Sequence, residues 1–109
     1  MPIYAGLPPG TLVMLILRVL RQEPLHGYAI AQKIRALSSD QLSVEEGSLY
    51  PALQKLLANG WVKAEWTTSD TGRQVRSYRL TSRGLKQLET EQGDYQRMAD
   101  AIAAIVEST

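Results

Sequence analysis

A chain of 109 residues with a net charge of +1, no cysteine and one histidine is the size of one domain around one core. It lacks the ligands for a disulfide, a thiolate nucleophile or a Cys–His zinc site. The longest apolar run, residues 12–17, falls far short of the ~20 residues that span a bilayer. MPIYAGLPPG has no basic segment of the secretory kind, so the sequence reads as a soluble cytoplasmic protein with no membrane partner and no cofactor.

Residues 1–10 hold three prolines and two glycines and read as an irregular arm, docked through Ile3, Tyr4 and Leu7. A first helix is expected over Thr11–Gln22, ending before Pro24. It is apolar almost all round and therefore central. Residues 24–27 (PLHG) read as a tight connection into a second helix over Gly27–Leu37, with Ile30, Ala31, Ile34 and Leu37 inward. Ser38, Ser39 and Asp40 end it. His26 has no nucleophile or carboxylate beside it, so a helix-start or phosphate-contacting role is expected rather than catalysis.

The strongest helix signal is SVEEGSLYPALQKLLANG, residues 43–60. Two starts stay open: Ser43 with Glu46 at capping-box spacing, or Ser48 with Pro51 in the first turn. Asn59-Gly60 is the stop. Leu49, Leu53, Leu56 and Leu57 form an apolar stripe. The other face carries Ser48, Tyr50, Pro51, Gln54, Lys55 and Ala58. Its single charge and hydrogen-bonding groups suit a polyanion, although an ordinary amphipathic helix has the same pattern, and these residues alone favour that plainer reading.

WVKAEW (61–66) and VRSYRLT (75–81) read as two strands around the turn TTSDTGR. The hairpin tip carries Gly72, Arg73 and Gln74, with Arg76 beside it. Three helices followed by a basic hairpin are the order of a winged helix, which raises DNA binding above the plainer reading. Residues 61–86 hold six basic side chains against Glu65 and Asp70, and residues 87–109 five acids against Arg97. Taken alone, that charge pattern also fits two solvated faces. Thr81 caps a last helix over about Ser82–Glu107. In it Leu85, Leu88, Gln92, Tyr95, Ala99, Ile102 and Val106 step 3-4-3-4 as in a coiled-coil seam. Gly93 costs that helix about 1 kcal/mol. The seam packs on the first helix, on a second copy of the chain, or on both. The fold expected is mainly α with a small β-hairpin: a winged helix-turn-helix with its arm (1–81) and a long C-terminal dimerisation helix (82–109) in one compact unit.

LHGYAIAQKI, GSLYPALQKLLANGWVKAEW and TGRQVRSYRLTSRGLKQL together resemble the PadR family of bacterial winged-helix transcriptional regulators, from about Gly10 to Leu88. A chain ending at Thr109 resembles its short-tailed subgroup, which has one C-terminal helix. The resemblance implies a homodimer joined through the N- and C-terminal helices, with Leu12 and Ile16 joining the seam. It implies binding to a pseudo-palindromic operator in double-stranded DNA, usually as a repressor. It also implies a place for a small aromatic effector at the dimer interface in some members, where Tyr95 stands at a position often aromatic. Trp61, Trp66 and Tyr95 are the candidate lining for such a ligand. The competing reading gives both tryptophans to wing packing and Tyr95 to the seam.

The candidate DNA contacts are Tyr50, Gln54 and Lys55 on the reading face, with Ser48 and Pro51 at its entry. Arg73, Gln74 and Arg76 in the wing join them, as do His26, Tyr28 and Lys63. The alternative from another class is a winged-helix protein-interaction module without DNA binding. An enzyme is not expected, since the sequence offers no metal cluster, no paired-carboxylate setting and no phosphate-cradling glycine loop.

Overall fold

Leucine and isoleucine at helical spacing decide where the core lies. Ile16 and Leu17 of the first helix, Ile30 of the second, Leu49, Leu53 and Leu56 of the third and Leu88 of the last are all closed off from solvent. The computed structural model describes Leu7 and residues 10–109; the docking expected of Ile3 and Tyr4 lies outside the described residues. Its elements are α1 (Thr11–Gln22), β1 (Leu25–His26), α2 (Gly27–Leu37), α3 (Glu46–Ala58), β2 (Val62–Thr68), β3 (Gln74–Leu80) and α4 (Ser82–Val106). This is a winged helix-turn-helix, mostly helical, with one small antiparallel sheet. α1 lies at its centre, although Arg18, Arg21 and Gln22 keep one side in water.

Several local expectations change. The connection at 24–27 contains a strand: Leu25 pairs with Tyr78 and His26 with Ser77, giving a three-stranded sheet in the order β1-β3-β2. Leu37 is exposed rather than inward, because the last turn of α2 has run past the core. α3 takes neither serine as its cap. Glu45 is the N-cap, its side chain accepts no bond, and its backbone carbonyl takes the N–H groups of Ser48 (3.0 Å) and Leu49 (2.9 Å). Pro51 therefore lies inside the helix and leaves the Gly47 carbonyl without its partner four residues on; both residues are exposed, so the group is open to solvent rather than buried. Both strands shift toward the turn, and Trp61 and Thr81 fall outside them. Thr67 and Thr68 belong to β2 and Gln74 to β3, which shortens the turn to Ser69–Arg73.

The junction between α3 and α4 is tied at one residue. Thr81 Oγ1 donates to the carbonyl of Gly60 (2.7 Å) and accepts from the N–H of Gly84 (3.0 Å). This is the expected cap, and it also anchors the end of α3. Gly60 stands at φ +73°, the left-handed stop that a glycine supplies without strain. Beyond Leu88, α4 leaves the core, and Tyr95, Met98, Ile102, Ile105 and Val106 are all exposed.

Candidate nucleic-acid interface

An amphipathic helix packed by Leu49, Leu53 and Leu56 turns its opposite face outward. At 100° per residue, Tyr50 and Gln54 share one flank of α3, Ser48 and Lys55 the other, and Pro51 lies between. All five are exposed. Tyr50 is held by close packing on the start of α2: a Cβ on Gly27 would stand 3.1 Å from its Cε1 and its Oη. Any residue larger than glycine at 27 would displace the ring.

The wing's geometry follows from its register. Val62 pairs with Leu80, Ala64 with Tyr78, Trp66 with Arg76 and Thr68 with Gln74, so these side chains share one face of the sheet. Val62 and Tyr78 are buried, which makes it the core-facing side. Trp66, Arg76 and Gln74 continue that side past the end of the core and overhang α3. The Arg76 guanidinium carbon lies 5.9 Å from the Tyr78 ring centroid, a cation–π contact that steadies it. Arg73 projects from a turn closed by Ser69 N–H to the Arg73 carbonyl (2.8 Å) and Arg73 N–H to Ser69 Oγ (3.2 Å).

α3, the start of α2 and the wing together bound an open groove of about 760 Å³. His26, Tyr28, Tyr50, Arg73, Gln74 and Arg76 line it. Glu46, Asp70 and Trp66 line it too, and none of these three was expected there. Glu46 and Asp70 offset the two arginines, so the groove itself is close to neutral. Lys63 is not brought in. It pairs with Arg79, and the two-residue period of the strand puts both on the outer face. Gln54, Lys55, Ser48 and Pro51 adjoin the groove along α3. His26 caps α2, its Nδ1 accepting the N–H of Ala29 at 3.3 Å, so only its other ring nitrogen is free for a ligand.

The seam residues divide. Ile16 and Leu88 are 0 % exposed within the single chain; both are used up by its own core, which corrects their expected place in a dimer interface. Leu12 and Leu85 are partly buried against the same core. Gln92, Tyr95, Ile102 and Val106 are exposed and Ala99 half-buried. Met98 and Ile105 widen the stripe, because Tyr95-Met98-Ile102-Ile105 is as regular a 3-4-3 series as the expected one. A depression of about 550 Å³ lies between Met14, Leu15 and Arg18 of α1 and Gln92, Gly93 and Tyr95 of α4. The three aromatic residues expected around an effector are not brought together. Trp61 packs against the core, Trp66 lines the α3–wing groove, and Tyr95 lines the α1–α4 depression. Nor does Trp66 serve wing packing, being 69 % exposed. Among the described residues, no group of three or more acidic or histidine side chains is placed to hold a metal ion. No described helix is long and apolar enough to cross a membrane.

A helix-turn-helix followed by a wing, with polar side chains turned out between them, is the winged-helix fold. The chain belongs to the PadR-like family of transcriptional regulators, whose model matches residues 16–90. Its fold is that of a transcriptional regulator from Clostridium thermocellum, at 26 % identity and a TM-score of 0.82, over 90 % of this chain and 95 % of that one. A PadR family transcriptional regulator from Eggerthella lenta is 31 % identical with a TM-score of 0.76, over 92 % and 85 %. An uncharacterized protein from Lysinibacillus sphaericus is 28 % identical over 94 residues, 84 % of this chain and 86 % of that one. The family and the two structures are transcriptional regulators rather than enzymes, which implies regulation through DNA.

Proposed function

We propose that the protein is a sequence-specific DNA-binding repressor that acts in the cytoplasm as a homodimer on a pseudo-palindromic operator. The observation that carries this reading is the groove in which α3 and the wing present Tyr50, Arg73, Gln74 and Arg76 side by side. α3 enters the major groove with Gln54 and Lys55 toward base edges and phosphates, Ser48 and Pro51 at its entry and Tyr28 at its margin. The wing reaches the flanking backbone through Arg73 and Arg76. A single winged helix covers a short half-site. The apolar stripe of α4, left uncovered in one chain, supplies a second copy, and two-fold symmetry then matches a palindrome. Repression follows from occupying promoter DNA.

The test is selection of duplexes from a random pool, followed by a mobility shift with the selected sequence. A symmetric pair of half-sites, binding that weakens steeply with salt, and blocked transcription from a promoter carrying the site are expected. No enrichment would favour a winged helix that binds protein instead.

A further inference from the structure

Among the described residues, Trp66 belongs neither to the core nor to the side chains packed against it. It is 69 % exposed on the inner face of the wing, directly opposite Arg76. Leaving so large an apolar ring in water costs free energy that burial recovers. Its surroundings narrow what buries it. Tyr28 and Tyr50 line the same groove, and so do Arg73 and Arg76. Arginines beside exposed aromatic rings favour a nucleic acid, whose phosphates take the cations and whose sugars and thymine methyls offer apolar surface. Glu46 and Asp70 in the groove limit what phosphate neutralisation achieves there. A contact made at this point therefore draws on apolar burial as much as on charge.

We infer that Trp66 is itself a DNA-contact residue, laying its indole against the deoxyribose and thymine-methyl surface of the duplex while Arg73 and Arg76 hold the adjoining phosphates. This rests on the DNA-binding reading above and extends it. The wing supplies a salt-insensitive, apolar part of the affinity as well as a charged part, and the contact favours thymine at the position it meets.

The experiment uses the full chain with Trp61→Phe, which leaves Trp66 as the sole indole, and a duplex selected by the wild-type protein. Acrylamide quenching of Trp66 is expected to fall at least about twofold when that duplex saturates the protein. Trp66→Ala, checked for an unchanged melting temperature, is expected to weaken binding about tenfold with the slope of affinity against salt unchanged. Replacing thymine by uracil one position at a time is expected to weaken the wild type at one or two positions where the variant is indifferent. Undiminished quenching in the complex overturns the inference. So does a Trp66→Ala loss that flattens the salt slope, because the ring would then only be holding Arg76. Protection of Trp66 by planar aromatic compounds but not by DNA overturns it in favour of a ligand site. Failure of the wild-type protein to bind any duplex is a different result and removes the DNA reading as a whole.

Discussion

Thr81 shows how much can rest on one hydroxyl. It donates to Gly60 at the end of α3 and accepts from Gly84 at the start of α4, while its own N–H donates to the Trp61 carbonyl at 3.1 Å. Thr81→Val keeps the shape and removes both side-chain bonds; the expected loss is about 1–2 kcal/mol, and Thr81→Ser should restore most of it. Gly84→Ala should cost more, about 3 kcal/mol. Its Cβ would stand 2.0 Å from the Trp61 carbonyl oxygen and 2.7 Å from Leu80 Cδ1, and a backbone oxygen has no rotamer by which to withdraw. Urea unfolding midpoints measure both, and wild-type midpoints in the two variants would show that the junction does not hold the helices. In the interface, single residues should separate by kind. Arg73→Ala should weaken binding to every duplex and flatten the salt slope by about one unit per lost phosphate contact. Gln54→Ala should instead relax preference at one or two base pairs, at about 1–3 kcal/mol each. Titrating mobility shifts over salt, and over single-base variants of the site, tells them apart.

At the scale of elements, what could be read in advance was what local chemistry decides. α1 stops before Pro24, α3 stops at Asn59-Gly60 and α4 starts just after Thr81, because a missing N–H, a left-handed glycine and a capping hydroxyl act within one turn. β1 carried no such signal: two residues have no periodicity, and they form a strand only because β3 lies alongside with unpaired groups. The start of α3 was missed for a similar reason, its cap being the backbone carbonyl of Glu45, which any residue offers. His26, Tyr28, Tyr50, Arg73, Gln74 and Arg76 do line one groove, but which strand residues share its face could not be read from the sequence. Strand parity sends Lys63 to the outer face and Trp66 to the inner, and parity is fixed by the pairing of Val62 with Leu80, a long-range fact. Gly93 gives α4 a test of its own. Its added Cβ would come no closer than 3.4 Å to anything, and that atom is the mobile guanidinium of Arg97. Gly93→Ala should therefore stabilise the helix by about 1 kcal/mol, seen as a melting temperature higher by several degrees. A lower one would place a partner's backbone against Gly93.

The whole molecule is settled by where α4 goes after Leu88. Tyr95, Met98, Ile102 and Ile105 stay exposed in the single chain, at 56, 63, 53 and 74 %, and recur at seam spacing. That exposure makes one substitution unusually clean. If Ile102 faces water, Ile102→Asp costs the fold almost nothing and changes nothing else. If it faces a second copy, the same change buries a carboxylate against apolar neighbours and splits the pair. Sedimentation at micromolar concentration should give about twice the 12.1 kDa chain mass for the wild type and the single mass for the variant, with equal melting of secondary structure at high dilution. The acids of this segment add a sign to the argument. Residues 87–109 hold five against Arg97, which is already paired with Asp94. Two copies of α4 brought together therefore repel at long range, and raising salt from about 50 to about 200 mM should tighten the dimer by screening them. The same change should weaken DNA binding by releasing less counterion free energy. Opposite responses to one variable, measured by sedimentation and by mobility shift on one preparation, would assign the two charge regions to two partners. Parallel weakening of both would mean that the α4 acids pair across the seam with basic groups such as Arg18 of α1, which lines the α1–α4 depression with Glu89.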